Sequence, residues 1–250
     1  MERPYSPGMQ LLILLALTIS MGFCAQIVFS FALVSVNPNG IEDDVLNSPW
    51  VLIGGGFCFQ LFAHFVSFFL FLRITKQSYK DIISSVQLPT KFWLLLPVIL
   101  VICFYTVEFF GWISSSLFES AGAMRYIEDE LVWQKKYAEI FTHNEPIRLM
   151  ASLFTLAILP AVGEELIYRG ILFSRLKEAT QNHHFAAIVS GIIFAAMHSQ
   201  PIQLLPIAIM GAFFAYVYHY TKNIWYSVLL HFLINGLQIT AFYFWPDLMA

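Results

Sequence analysis

Apolar residues run along the chain in seven long stretches separated by short polar segments. The stretches cover residues 9–36, 49–72, 92–118, 149–176, 184–200, 202–220 and 223–245. A helix that crosses the hydrocarbon core of a bilayer needs about 20 residues, and the fifth and sixth stretches are short by that measure. The pattern predicts an all-α, polytopic membrane helix bundle with about seven transmembrane helices.

The longest interruption is residues 119–148, and it contains the segment RYIEDELVWQKKYAEIF. Its apolar residues recur at helical spacing, which suits an amphipathic helix lying at the membrane interface. A solvated helical connector explains the same spacing equally well. The rest of the chain leaves no room for a soluble second domain. We therefore expect one membrane-embedded domain over residues 1–250, with a core at residues 149–245.

Composition agrees with the membrane assignment. Hydrophobic residues make up 58% of the chain and charged residues 12%, whereas a soluble domain has roughly 25% charged residues. The net charge of −3 argues against a nucleic-acid partner, because such a partner calls for a basic surface. The bilayer itself is the expected partner.

Lysine and arginine positions orient the chain in the membrane, because loops on the cytoplasmic side carry the excess of these residues. With a cytoplasmic N-terminus and seven spans, eight basic residues face the cytoplasm and four face outward. The inner eight are Arg3, Arg73, Lys76, Lys80, Lys91, Arg175, Lys177 and Lys222, and the outer four are Arg125, Lys135, Lys136 and Arg148. The sequence thus predicts an integral membrane protein with its N-terminus in the cytoplasm.

Charged residues inside a membrane span are rare and are functional candidates by default. The stretch AVGEELIYRG, residues 161–170, contains three of them. Glu165 and Arg169 are four residues apart, in the favourable orientation for a helical ion pair. Glu164 lies about 100° away on the helix and lacks that partner, so it is a candidate general base. Pro160 and Gly163 loosen and thin the helix beside it, although a purely structural charge cluster fits this segment equally well.

The fifth stretch holds a histidine, His198, just after a row of small residues. The small residues Ala187, Gly191 and Ala195 recur every four positions, which lets another helix approach closely. Phe194 lies four residues before His198, so its ring can pack on the imidazole. A packing role for this histidine is the competing interpretation.

The seventh stretch contains HFLIN, in which His231 and Asn235 share one helix face. Two hydrogen-bond donors that converge on one point away from water would suit a developing oxyanion. Polar contacts between helices are the alternative. At about 1.5 Å per residue, Glu164, His198 and His231 lie roughly 14 to 21 Å from the inner edge of their spans, so the three groups can meet at one depth.

These residues resemble the three motifs of the CAAX-protease and bacteriocin-processing family of intramembrane proteases, also called CPBP or Abi. The family motifs E-E-x-x-x-R, F-x-x-x-H and H-x-x-x-N/D read EELIYR (164–169), FAAMH (194–198) and HFLIN (231–235) in this chain. All three occur in the family's order within the last 90 residues, and the first 145 residues carry no motif.

The resemblance implies an endopeptidase whose site lies inside the membrane, with a membrane-associated, in some members prenylated, protein or peptide as substrate. Glu164 and His198 would activate a water, His231 and Asn235 would stabilise the oxyanion, and Glu165 and Arg169 would support the first motif. Bacterial relatives, some tied to bacteriocin immunity, place the protein in the bacterial inner (plasma) membrane.

Metal dependence stays open at this point. Glu164, His198 and His231 could form a zinc site with an open water position, or they could act without a metal. An oxyanion-binding His231 must donate a hydrogen bond, whereas a zinc ligand must accept, and the presence of Asn235 favours the metal-free version.

Two other functions compete with proteolysis. Membrane glutamates and histidines also form relays in proton- or ion-coupled transporters, and an immunity protein can keep the fold without the chemistry. Glu108 could pair with Arg169, line the cavity or lie near an interface. Gln60 and His64 are interpreted as packing or hydrogen-bonding residues of the second span.

Overall fold

The protein is described by a computed structural model over residues 4–38, 40–83, 88–141 and 145–245. Within these ranges it consists of helices without strands, which confirms the all-α prediction. The helices are α1 (Pro7–Val36), α2 (Asp43–Leu46), α3 (Pro49–Thr75), α4 (Thr90–Ser120), α5 (Met124–Phe141), α6 (Pro146–Thr180), α7 (His183–Ala196), α8 (Leu204–Thr221) and α9 (Ile224–Phe244).

Helices occur at all seven predicted stretches. Six of these helices are long and apolar enough to cross a membrane: α1, α3, α4, α6, α8 and α9. The boundaries differ from the predicted ones by a few residues, and α6 begins at Pro146 rather than at residue 149. The protein is therefore a polytopic helical bundle.

Helix α7, at the fifth predicted stretch, is shorter than predicted. It ends at Ala196, and residues 197–203 form turns rather than the helix expected up to residue 200. Pro201 disfavours the helical conformation at the residue before it, Gln200, which argues against a helix up to residue 200; nothing in the structure explains why the helix already ends at Ala196. Ser199 takes a left-handed conformation with a φ of 55° in the same turn. His198 therefore lies in a turn beyond the helix, not on its face.

Several helix starts follow from local sequence. Ser6 caps α1 by accepting a hydrogen bond from the Met9 backbone, and Asn182 caps α7 by accepting from the His184 and Phe185 backbones. A side-chain oxygen at this position satisfies backbone N–H groups that have no partner within the helix. These caps start α1 and α7 close to the positions at which their apolar stretches begin.

The tightest helix packing joins α7 and α8. A Cβ atom on Gly191 would lie 2.5 Å from the Ala208 carbonyl oxygen, and one on Gly211 would lie 2.9 Å from the Gly191 Cα atom. Both positions therefore need glycine, because only a residue without a side chain allows backbones this close. The row of small residues predicts this close approach, and the structure confirms it.

Helices α3 and α6 contain segments wound as π-helix. The segments are Gln60–Val66 in α3, and Leu153–Ile158 and Leu166–Phe173 in α6. Such segments often occur at functional sites, because they change the direction of side chains along a helix. In this chain they lie beside the candidate residues of the first motif.

The interruption at residues 119–148 contains the amphipathic helix α5. On α5, Tyr126 and Leu131 are exposed. The Glu130 carboxylate accepts a hydrogen bond from Gln203 in the turn before α8. Helix α5 is therefore tied to the turn that also contains His198.

Glu108 is exposed on α4. Arg169 is buried and pairs with Glu165 instead. The hypothesis that Glu108 pairs with Arg169 is therefore wrong, because the intrahelical partner of Arg169 is already in place.

Candidate active site

A cavity of about 280 Å³ lies between α1, α3, α6 and the turn after α7. Its lining combines polar groups with apolar walls, and the polar groups include Glu164 and His198 from the sequence motifs. The lining residues are Thr18, Phe59, Gln60, Ala63, His64, Glu164, Tyr168, Met197 and His198. The structure therefore brings the first and second motifs to one partly open cavity.

The ion pair predicted between Glu165 and Arg169 is present at the back of this cavity. Glu165 Oε1 lies 2.9 Å from Arg169 Nη1, and the two side chains are 0% and 1% exposed. The guanidinium also donates to the Gly211 carbonyl oxygen at 3.1 Å and lies 4.5 Å from the centre of the Phe194 ring. This arrangement links α6 to α7 and α8 through one buried cation.

His231 of α9 joins the same carboxylate. Its Nδ1 atom is 2.9 Å from Glu165 Oε1, and its Nε2 atom is 3.9 Å from Glu164 Oε2. An ionised carboxylate only accepts hydrogen bonds, so Nδ1 carries a hydrogen and the ring turns Nε2 toward Glu164. The Phe214 ring stacks on the imidazole with centroids 5.5 Å apart, which helps to fix its angle.

Glu164 differs from its neighbour, because it borders the cavity. Its Oε1 atom accepts a hydrogen bond from Gln60 Nε2 at 3.0 Å. Its Oε2 atom is buried and has no hydrogen-bond partner among the described residues. The carboxylate is therefore anchored through one oxygen, and the other oxygen is available to a molecule in the cavity.

His198 stands at the rim of the cavity and is exposed. Its Nδ1 atom lies 2.8 Å from the Phe194 carbonyl oxygen, and the Phe194 ring packs on the imidazole at 4.7 Å. The carbonyl oxygen accepts, so Nδ1 is the donor and Nε2 is left free when the ring is neutral. The packing predicted between Phe194 and His198 is present although His198 has left the helix.

Asn235 has another contact than the one expected for an oxyanion donor. Its Nδ2 atom donates to the Leu156 carbonyl oxygen at 3.2 Å, in a π-helical part of α6. The cavity lining does not include it. Asn235 therefore joins α9 to α6, and its predicted role at an oxyanion stays a prediction.

Gln60 and His64 line the cavity, although their positions in the sequence predict only a packing or hydrogen-bonding role. Both lie in the π-helical segment of α3, and the His64 side chain is 5% exposed. No motif marks them, since each is a single polar residue in an apolar stretch. The available signal is that a membrane span rarely holds two such side chains four residues apart.

A zinc site at Glu164, His198 and His231 has suitable chemistry but not the required geometry. The two imidazoles are each fixed through Nδ1 by an oxygen acceptor, as zinc-binding histidines usually are. A zinc ion, however, needs all its ligands within about 2.0–2.2 Å. Among the described residues, no three His, Cys, Asp or Glu side chains converge closely enough to hold a metal ion. We therefore derive the chemistry below from the side chains alone.

Comparison with known proteins finds similarity in the part of the chain that carries most of this site. Residues 146–237 match a family model described as type II CAAX prenyl endopeptidase Rce1-like. The chain is 38% identical over 79 residues to the putative membrane peptidase YdiL of Bacillus subtilis (strain 168), which covers 32% of each protein. It is 28% identical over 93 residues to the membrane-embedded CAAX protease MroQ of Staphylococcus aureus (strain USA300), which covers 35% of this chain and 37% of MroQ.

These matches span about a third of the length of the two curated relatives. No solved structure matches the chain significantly. The matched region begins with α6 and ends within α9, so it contains all three motifs and the residues that pair with Glu165, whereas Gln60 and His64 lie outside it. Through this region the chain is similar to CAAX-protease-like membrane peptidases.

Proposed function

We propose that the protein is a membrane endopeptidase in which Glu164 activates a water for attack on a peptide bond. The observation that carries this proposal is the position of the Glu164 carboxylate at the cavity. One oxygen is held by Gln60, and the other is buried and has no hydrogen-bond partner within the part of the chain that the structure describes. A general base held in position contributes about 10²- to 10⁴-fold to a reaction rate.

The proposed reaction begins with a water between Glu164 and His198. Oε2 of Glu164 takes a proton from this water, while His198 Nε2 accepts a hydrogen bond from it and fixes its direction. The water oxygen then bonds to the peptide carbon, and the carbonyl electron pair moves onto oxygen. When the tetrahedral intermediate collapses, the C–N bond breaks and the leaving nitrogen takes the proton back from Glu164.

The groups behind Glu164 have supporting roles in this proposal. Glu165 and Arg169 hold the helices around the site, and Glu165 fixes the His231 ring. A protonated His231 would present an N–H through Nε2 toward the reacting centre, 3.9 Å from Glu164 Oε2. Asn235 supports the site through its contact with α6, and donation to the oxyanion would require its amide to turn.

The proposed substrate is a membrane-associated protein or peptide. One relative is named a CAAX protease, which makes a prenylated C-terminal peptide the first substrate class to test. Both curated relatives are bacterial proteins, so we propose the bacterial inner membrane, with a cytoplasmic N-terminus, as the location.

The test compares the wild type with Glu164→Gln and His198→Gln in detergent and in liposomes. A fluorogenic farnesylated CAAX peptide is the first probe. Mass spectrometry that compares the termini of membrane proteins between strains with the wild type and strains with Glu164→Gln supplies further candidate substrates. We expect cleavage to fall at least 100-fold in both variants, with the thermal transition unchanged.

Cleavage by Glu164→Gln at the wild-type rate would overturn the proposal. If the termini of membrane proteins are identical in strains with the wild type and strains with Glu164→Gln, the result would instead favour the competing function, a non-enzymatic immunity protein. Glu164-dependent proton flux into liposomes without any cleavage would favour a transporter.

A further inference from the structure

His64 borders the cavity from the side opposite the family motifs. It belongs to α3, outside residues 146–237. The cavity places it together with Glu164 and His198. The site therefore includes an imidazole that the family match does not cover.

The His64 ring has an unused polar atom in a position where such atoms are costly. Its side chain is 5% exposed, and Nδ1 is buried without a hydrogen-bond partner among the described residues. Leaving a buried polar atom unpaired is destabilising. Two other buried atoms of the cavity, Gln60 Oε1 and Glu164 Oε2, are also unpaired. Three such atoms around one cavity indicate a polar ligand.

Close packing between α3 and α6 brings His64 near Glu164. A Cβ atom on Gly163 would lie 2.8 Å from the His64 Cβ atom, so the two helices approach through this glycine. The His64 ring is held between two aromatic rings, with centroid distances of 5.9 Å to Phe59 and 6.2 Å to Tyr168. A ring fixed in this way is preorganised, which is what a group that stabilises developing charge requires.

The reaction needs a donor that His64 can supply. An oxyanion requires N–H or O–H groups aimed at the carbonyl oxygen, and the Asn235 amide donates to the Leu156 backbone instead. His231 does not line the cavity, and its Nδ1 atom already donates to Glu165, so only a protonated ring could donate through Nε2. Among the described residues that line the cavity, His64 is the imidazole without a partner on Nδ1.

We propose that His64 is a catalytic residue that donates a hydrogen bond to the peptide carbonyl oxygen as it becomes an oxyanion. The proposal rests on the function proposed above and adds a residue to it. No proton is transferred in this step, because the N–H bond of His64 stays intact while the carbonyl electron pair moves onto oxygen. Water, Glu164 and the leaving nitrogen exchange the protons as described.

The experiment uses three substitutions of His64 in the full-length protein. His64→Gln keeps an N–H donor, His64→Met has a similar size without a donor, and His64→Phe keeps a flat ring. His184→Phe, at an exposed histidine outside the cavity, is the matched control. The probe is the farnesylated CAAX peptide, or a peptide found by the terminal mass spectrometry.

We expect the Met and Phe variants to lose about 10²- to 10³-fold in kcat, as the loss of one oxyanion donor does. KM stays within about twofold, because the carbonyl accepts weakly before charge develops on it. The kcat of the Gln variant should be at least tenfold higher than that of the Met and Phe variants. His184→Phe should cleave like the wild type. A residue that only fills space would show the reverse order, with Phe active and Gln impaired.

Failure of the role of His64 and failure of the proposed function give different results. If cleavage depends on Glu164 but His64→Phe or His64→Met keeps the wild-type kcat, the role of His64 is overturned and the proposed function stands. If no Glu164-dependent cleavage exists, both are overturned. If the Phe variant does not fold, the comparison of the Gln and Met variants decides, because equal kcat values in those two would also overturn the role.

Discussion

Glu164 and Glu165 are adjacent in sequence, yet their surroundings have little in common. Glu165 is 0% exposed, and one of its oxygens contacts both the Arg169 guanidinium and the His231 imidazole. Glu164 is 6% exposed and has one neutral partner, Gln60, on one oxygen. A helix turns by about 100° per residue. Glu165 is therefore directed at a cation, and Glu164 is directed at a cavity.

The difference shows how a membrane helix can hold two acids for two purposes. A buried carboxylate that is paired with a cation mainly fixes structure, and removing one partner leaves a charge stranded. A buried carboxylate beside a cavity is a poorly solvated base, which suits proton transfer. Substitutions that treat the two residues alike should therefore give different results.

The largest expected effect is on stability, in Glu165→Ala. The change leaves Arg169 charged, 1% exposed and without its carboxylate, and breaking a buried pair in this way costs about 3–5 kcal/mol. We expect the thermal transition in detergent to fall by at least roughly 6 °C. Glu164→Ala removes one hydrogen bond to Gln60 and should lower the transition much less, while it abolishes cleavage.

The double variant Glu165→Leu/Arg169→Leu is the control for that result. Replacing both members of a buried pair with apolar residues is often neutral, so we expect it to be more stable than Glu165→Ala. Equal instability of Glu164→Ala and Glu165→Ala would contradict the comparison.

The next effect concerns the contact that brings α3 to Glu164. In Gly163→Ala the new Cβ would lie 2.8 Å from the His64 Cβ and 3.1 Å from Phe65 Cε2, so α3 must move. We expect a cost of about 1–3 kcal/mol and, because a shift of about 1 Å can cost 10²-fold in rate, a loss of cleavage of about 10- to 100-fold.

Gly56→Ala is the matched control on the same helix pair. Its Cβ would meet Thr155 Cγ2 at 3.4 Å, which is close to an ordinary contact. Kinetic constants and thermal transitions of both variants decide the outcome. A Gly163→Ala enzyme that cleaves like Gly56→Ala would show that the distance between α3 and Glu164 does not matter.

A smaller effect is expected for Asn235→Ala. The change removes the hydrogen bond to the Leu156 carbonyl oxygen, and polar contacts between membrane helices are worth about 0.6 kcal/mol on average. We expect a shift of the thermal transition by a few degrees at most, and a fall in kcat of less than about tenfold. A fall of 100-fold or more with an unchanged transition would instead show that this amide turns to the oxyanion.

The smallest effect is expected from removal of metal. Among the described residues no group of three ligands converges on one point, so treatment with a chelator followed by gel filtration should leave cleavage of the farnesylated peptide unchanged. Added zinc should not raise the rate. A rate that falls with chelation and returns with zinc would mean that Glu164, His198 and His231 rearrange around an ion.

The helices could be predicted from the sequence because burial in lipid demands long apolar stretches with few interruptions. The pair of Glu165 with Arg169 was also predictable, since both lie on one helix at fixed spacing. The end of α7 was not predictable, because residues 197–203 keep an apolar character through Met197 and Ile202, and an apolar pattern does not mark where a helix changes to a turn.

The cavity partners of Glu164 were beyond the sequence for a different reason. Gln60 and His64 reach the site only because α3 is wound as π-helix over Gln60–Val66, and no residue type marks such a segment. The contact between Asn235 and Leu156 likewise depends on how α9 rotates against α6. Spacing within one helix constrains what shares a face, whereas rotation between helices is decided by packing across the whole bundle.

The short seventh helix has a consequence for the surrounding lipid. Fourteen residues rise about 21 Å, which leaves roughly 9 Å of a 30 Å hydrocarbon layer unspanned at that place. Where such a helix meets the bilayer, thinning of the lipid layer is one way to accommodate it, at a modest cost per ångström, and would bring headgroups and water toward the turn that contains His198. The proposed hydrolysis would then receive its water from the interface, without a channel through the bundle.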